Sequence, residues 1–120
     1  MILVDTSVWV DHLRRGNSQL EDLLEATQVA CHRFIIGELA CGNLRKRKQI
    51  LAYLSRLPTV DLATHDEVME LVDAHRLMGA GIGWVDAHLL AASLIARASL
   101  WTMDRSLASV ARQLDISAER

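Results

Sequence analysis

The sequence predicts an α/β fold with a mainly parallel sheet covered on both faces. The chain opens on a short apolar run, Ile2-Leu3-Val4, that reads as a buried strand. Further short runs of strand character alternate with longer segments of helical spacing. Val85 to Arg97 is almost wholly apolar, as a helix must be when it is central.

Taken in order, Val8, Trp9 and Leu13 line the buried face of a first helix that Leu13 closes, and Arg14 to Ser18 make a polar turn. Leu20, Leu23 and Leu24 repeat at helical spacing, and Gln28 to Cys31 suit a second short strand. Phe34 to Ala40 pairs apolar residues at i and i+4, predicting a helix that ends at Gly42. Ile50, Leu54 and Leu57 stripe a helix that stops before Pro58, and Val60 and Leu62 alternate as a strand does. Val68, Leu71, Val72 and His75 mark a long helix ending at Gly79, followed by a loop through Trp84. Ser99 to Thr102 reads as the last strand, and Leu107, Val110, Ala111 and Leu114 as a final amphipathic helix.

A chain of 120 residues with 51% hydrophobic content and a single Pro suits one domain over residues 1–120. The two cysteines, Cys31 and Cys41, form no CxxC pair and no signal peptide precedes them, so the expected setting is the reducing cytoplasm with ordinary buried thiols. Ala87 to Ala96 contains His88 and Ser93 and falls short of the roughly 20 residues of a membrane span, so no membrane association is expected. A net charge of −2 hides a local imbalance: Arg33 to Val60 holds six basic residues against Glu38 alone. Such a patch can draw a polyanion despite the near-neutral total. Arg45, Lys46, Arg47 and Lys48 begin a helix with their heads in water and are candidates for RNA contact, a plain solvated face being the competing explanation.

Most acids fall on polar helix faces, but four do not. Asp5 ends the first strand, Asp104 follows the last, Glu38 interrupts an apolar helix near its buried side, and Asp86 sits in the first turn of the central helix. Helix capping explains Asp5, Asp86 or Asp104 singly. Jointly they suggest convergence on one sheet edge, where open α/β sheets place ligands. Two carboxylates about 4 Å apart repel by about 4 kcal/mol at an effective dielectric of about 20, so such a cluster needs a cation. All-oxygen ligands select Mg²⁺ or Mn²⁺, and either works characteristically on phosphate esters. The five histidines show no zinc-ligand spacing, and most are assigned to the surface or an edge.

Asp5-Thr6-Ser7-Val8-Trp9, the segments around Glu38 and Asp86, and Leu100 to Leu107 around Asp104 together resemble the PIN-domain ribonucleases. They look most like the toxins of VapBC-type toxin–antitoxin modules. The resemblance runs from Met1 to about Ile116. It implies a three-layer α/β/α sandwich and a Mg²⁺- or Mn²⁺-dependent endoribonuclease whose catalytic and metal-binding acids are Asp5, Glu38, Asp86 and Asp104. The supporting hydroxyls carry over to Ser7 and Thr102, leaving Thr6 free to cap the first helix. By the same resemblance, substrates are structured RNAs such as tRNA or rRNA, a cognate antitoxin blocks the cleft, and homodimers are usual. The stripe Ile50, Leu54, Leu57 is the candidate dimer surface, packing inside one subunit or receiving the antitoxin being the alternatives.

Trp9, Trp84 and Trp101 each lie near one of these acids. Burial is expected for Trp9 and Trp101, whereas Trp84, in a glycine-rich loop, is the candidate for stacking on an RNA base. A receiver domain would need a phosphoacceptor Asp in mid-chain, and a haloacid-dehalogenase-type phosphatase would need DxD. The remaining alternative is a catalytically degenerate relative that only binds RNA or a partner, against which all four acids are intact.

Overall fold

The computed structural model describes residues 1–118. Three strands, β1 (Ile2–Val4), β2 (Val29–Ala30) and β3 (Ser99–Trp101), form a parallel sheet in the order β2-β1-β3. Seven helices flank it among the described residues: α1 (Thr6–Arg15), α2 (Ser18–Glu25), α3 (Arg33–Ala40), α4 (Arg47–Arg56), α5 (His65–Ala74), α6 (Trp84–Ala96) and α7 (Arg105–Gln113). This is the α/β architecture that the alternation of strands and helices implies.

β1 is central because both its faces are apolar. Leu3 and Val4 are fully buried, and each such side chain contributes about 1.5–3 kcal/mol through burial. In α6 every residue from Ala87 to Ser93 is buried, as its nearly continuous apolar sequence requires. Trp9 and Trp101 are inside as expected, at 1% and 6% exposure. No helix among the described residues is long and apolar enough to cross a membrane.

The chain steps from β1 to β2 on one side, then returns past β1 to β3 on the other. The crossover direction therefore reverses at β1, and the carboxyl ends of β1 and β3 frame the crevice where parallel sheets bind ligands. Asp5 follows β1 at that point; Thr102 and Asp104 follow β3.

Several local expectations are corrected. Val60 and Leu62 form no strand: Thr59 makes a single bridge to Cys31, Pro58 lacks an N–H for a ladder, and Leu62 is exposed. α1 runs on past Leu13 to Arg15, so the turn shrinks to Gly16 and Asn17, whose side chain caps α2. α5 ends at Ala74, well before Gly79, because His75 caps it and Arg76 turns left-handed at φ 51°. Cys31 is buried but Cys41 is exposed. Leu54 is fully buried, with Ile50 and Leu57 packed against the core, so this stripe is spent inside the chain and no longer argues for a dimer.

The basic stretch also differs. Lys46 is the left-handed residue preceding α4, which begins only at Arg47. Arg47 turns back, donating from Nε and Nη2 to the Ala40 carbonyl at 3.2 and 3.0 Å, and so satisfies the end of α3. Arg45, Lys46 and Lys48 remain exposed around it.

Candidate functional site

Asp5 answers first for the sheet edge. Its backbone N–H bonds to the Trp101 carbonyl at 2.9 Å, adding one rung to the β1–β3 ladder. Its carbonyl then accepts from Val8 and Trp9, so Asp5 starts α1 with its backbone. The side chain does no capping. Instead Oδ2 accepts from the Ser7 hydroxyl at 2.8 Å and the Thr102 hydroxyl at 2.7 Å. Each hydroxyl in turn accepts a backbone N–H at 3.0 Å, Met103 onto Ser7 and Asp104 onto Thr102. With their only protons committed to Asp5, both hydroxyls are fixed in orientation, and the carboxylate is held at 6% exposure.

Glu38 stands elsewhere than expected. It is exposed on α3, not near the buried side, and the Thr6 hydroxyl donates to its Oε1 at 2.6 Å. Thr6 therefore does not cap α1; it ties α1 to α3.

Asp86 and Asp104 keep their cap roles as well. Asp86 Oδ2 accepts from the Gly83 N–H at 3.1 Å, and Asp104 Oδ1 accepts from Leu107 at 2.9 Å, opening α6 and α7. Burial raises the Asp86 carboxyl above its ordinary 3.8, the Gly83 bond opposes this, and the charges of Asp5 and Asp104 push it further up. These three aspartates are thus electrostatic neighbours, while Glu38 is tied to Thr6, the residue after Asp5.

In every one of the four acids a single oxygen is used by the protein: Asp5 Oδ2, Glu38 Oε1, Asp86 Oδ2 and Asp104 Oδ1. The second oxygen of each has no hydrogen-bond partner among the described residues. Among those residues no three His, Cys, Asp or Glu side chains close into a ready ion cage. What suits Mg²⁺ is the oxygen chemistry of the uncommitted donors, since that ion is usually held by one or two carboxylates together with waters and substrate phosphates. The donor set is all oxygen, and Asp86 gains from any cation placed among its neighbours.

Most histidines are expected at the surface or an edge, and two of the five are buried, His32 at 0% and His88 at 7% exposure. His32 caps α3 through Nδ1, which accepts the Phe34 N–H at 2.9 Å. Burial, helped by repulsion from His88, lowers His32 to about 4, so it stays neutral and keeps the cap. Burial lowers His88 too, with a smaller push from His65. No zinc-type spacing exposed these roles in the sequence. The only available signal was the i, i+4 pairing of Trp84 with His88.

The family model of the PIN domain matches residues 2–113. The chain belongs to the PIN-domain family. Ribonuclease VapC32 of Mycobacterium tuberculosis, in each of two strains, is 46% identical over 108 residues, covering 89% of this chain and 87% of that protein. That identity sets the chain beside the VapC-type toxins within the PIN family. Among solved structures, the toxin-antitoxin complex from Klebsiella pneumoniae aligns with a TM-score of 0.68 at 21% identity, over 92% of both chains. PAE2754 from Pyrobaculum aerophilum gives 0.70 at 17% identity, over 98% of this chain and 87% of that one. FitAcB from Neisseria gonorrhoeae gives 0.66 at 19% identity, over 98% of this chain and 95% of that one. At such identities these structures establish the fold.

Proposed function

We propose that this PIN-domain chain is a divalent-metal-dependent endoribonuclease and the toxin of a toxin–antitoxin pair. It hydrolyses phosphodiester bonds of structured RNA, tRNA or rRNA, in the cytoplasm. The observation that carries this reading is Asp5 at the end of β1 with Asp86 and Asp104 as electrostatic neighbours, each anchored through one oxygen and leaving the other uncommitted. The 46% identity to Ribonuclease VapC32 supports it.

Asp5, Asp86 and Asp104, with Glu38 across Thr6, would hold Mg²⁺ or Mn²⁺, which supplies Lewis-acid polarisation and a bound water of lowered pKa. Ser7 and Thr102 act through Asp5: they fix the direction of its free oxygen before substrate arrives. Gly83 does the same for Asp86, and Leu107 for Asp104. Arg45, Lys46 and Lys48 supply sequence-independent attraction for the RNA backbone, whereas Arg47 belongs to the fold.

The antitoxin's binding segment is proposed to lie in a groove beside Glu38. A groove of about 430 Å³ runs from Thr6 and Glu38 past Leu13, Leu39 and Leu44 to Arg45. Its apolar floor and basic rim suit an amphipathic peptide with acidic residues, and an occupant would cover Glu38. The solved toxin-antitoxin complex with this fold supports such a partner. A homodimer is proposed on the family resemblance, with exposed Leu94 and Ile95 at the end of α6 as its apolar surface.

Purified protein should cleave RNA with Mg²⁺ or Mn²⁺, lose all cleavage in excess chelator, and lose it again in Asp5→Asn. Cleavage that survives either treatment would sink the metal mechanism. The open carboxylate set also favours one alternative, a PIN relative that binds RNA or a partner without cutting. RNA binding with no cleavage in any divalent metal would select that alternative.

A further inference from the structure

Five aromatic rings form a row beside the acids. His32 meets Phe34 at a centroid distance of 5.1 Å, Phe34 meets His88 at 4.9 Å, His88 meets Trp84 at 4.8 Å, and Trp84 meets His65 at 5.1 Å. The row begins in the interior and ends in solvent, for His32 is fully buried while Trp84 is 43% exposed. No ring lies flat on the indole: His88 meets it at 89° and His65 at 51°. An indole left so far in water forgoes much of its burial free energy, unlike Trp9 and Trp101.

It stands at the start of the helix that carries Asp86. Trp84 is the first residue of α6, two before Asp86, whose carboxylate holds the Gly83 N–H. The preceding loop is docked on α7: Gly81 has φ +82°, and a Cβ there would stand 2.8 Å from Ser106 Oγ, two residues past Asp104. At the other end of the row, Phe34 lies one helical turn before Glu38 on α3. The row therefore runs along the two helices that carry Glu38 and Asp86, with Phe34 on α3 and Trp84 and His88 on α6.

We propose that Trp84, backed by His65 and His88, is the ledge on which an unpaired nucleobase stacks beside the phosphodiester to be cut. The proposal rests on the nuclease reading above and adds to it a selection rule. A base inside a duplex has no free face, so the ledge accepts loops and flipped-out nucleotides and rejects continuous helix. Trp84 carries no charge. Its contribution is therefore independent of salt, unlike that of Arg45, Lys46 and Lys48.

The test uses the Asp5→Asn protein, so that RNA stays intact, and a short single-stranded oligoribonucleotide in which one abasic site is moved along the chain. With Trp84 present, the abasic site at one position should weaken binding by about ten-fold. In Trp84→Ala the intact and abasic strands should bind alike, and Trp84→Phe should restore part of the difference. The salt slope should be equal in all three proteins. The same abasic penalty in Trp84→Ala, or a salt slope reduced in it, would overturn the ledge. If the unsubstituted protein still cuts RNA with Mg²⁺, that result leaves the nuclease reading in place. Conversely, an abasic penalty that depends on Trp84 in a protein that never cuts would uphold the ledge and remove the nuclease.

Discussion

Asp5 and Glu38 are joined through one residue, yet they are built in opposite ways. Thr6 follows Asp5 in the chain and binds Glu38 in space. Asp5 is buried at a strand end, fixed by two hydroxyls that are themselves fixed by backbone N–H groups. Glu38 is exposed on a helix, has one more torsion, and is held by a single hydroxyl. A strand end pinned by its sheet gives a carboxylate of set position; a helix surface gives one that can adjust. Asp5 is the more tightly fixed of the two, and Glu38 the one with more freedom.

The largest effect should come from the fixed side. Thr102→Val keeps the shape but removes one donor to Asp5 and the acceptor of the Asp104 N–H. A hydrogen bond to a charged group is worth about 1.5–3 kcal/mol, so single-turnover cleavage should slow by about ten- to hundred-fold. Adding Ser7→Ala should cost less than the product of the two single effects, since both hydroxyls act on one oxygen. A Thr102→Val rate equal to that of the unsubstituted protein would show that Asp5 needs no such fixing.

Asp86 lies between the extremes. Its raised pKa means that the folded state favours the protonated form. The resulting penalty is absent below the ordinary 3.8 and in full force above the raised value. Asp86→Asn keeps an acceptor for the Gly83 N–H and removes the charge. In metal-free buffer at neutral pH its Tm should rise by about a few degrees. That gain should shrink as pH falls toward 3.8, and stabilisation by Mg²⁺ should vanish. A lower Tm with the Mg²⁺ response intact would reduce Asp86 to a cap.

The smallest effect belongs to the adjustable side. Thr6→Val removes the one bond on Glu38, but water replaces it at an exposed carboxylate. Cleavage should fall by no more than about five-fold, corresponding to about 1 kcal/mol. If Thr6→Val proved as damaging as Thr102→Val, the contrast between the fixed and adjustable acids would collapse.

Element types were legible because they are local. The period of the apolar residues marked α6 as central and β1 as a core strand, and Ala87 to Ser93 and Leu3–Val4 are buried accordingly. Errors arose where a contact made far along the chain overrode the local signal. Val60 and Leu62 have strand spacing, but Pro58 leaves room for only one bridge to Cys31. Arg47 looks like one of four solvated cations, yet the turn at Lys46 sends its guanidinium back to Ala40. His32 has no partner in its pattern to mark it as a cap, and its burial is decided by helices that pack over it.

The sequence by itself determined the α/β class, most of the strands and helices, and the contexts of Asp5, Asp86 and Asp104, because side-chain periodicity and residue type act over a few neighbours. Tertiary structure alone decided what each acid touches. Ser7 and Thr102 are separated by 95 residues and meet with their hydroxyls 3.3 Å apart because β1 pairs with β3 in register, Val4 beside Trp101. Thr6 and Glu38 are 32 residues apart and meet because α1 packs on α3. Hydrogen bonds act over about 3 Å, so partners distant in the chain are set by how the elements pack and by the register between them.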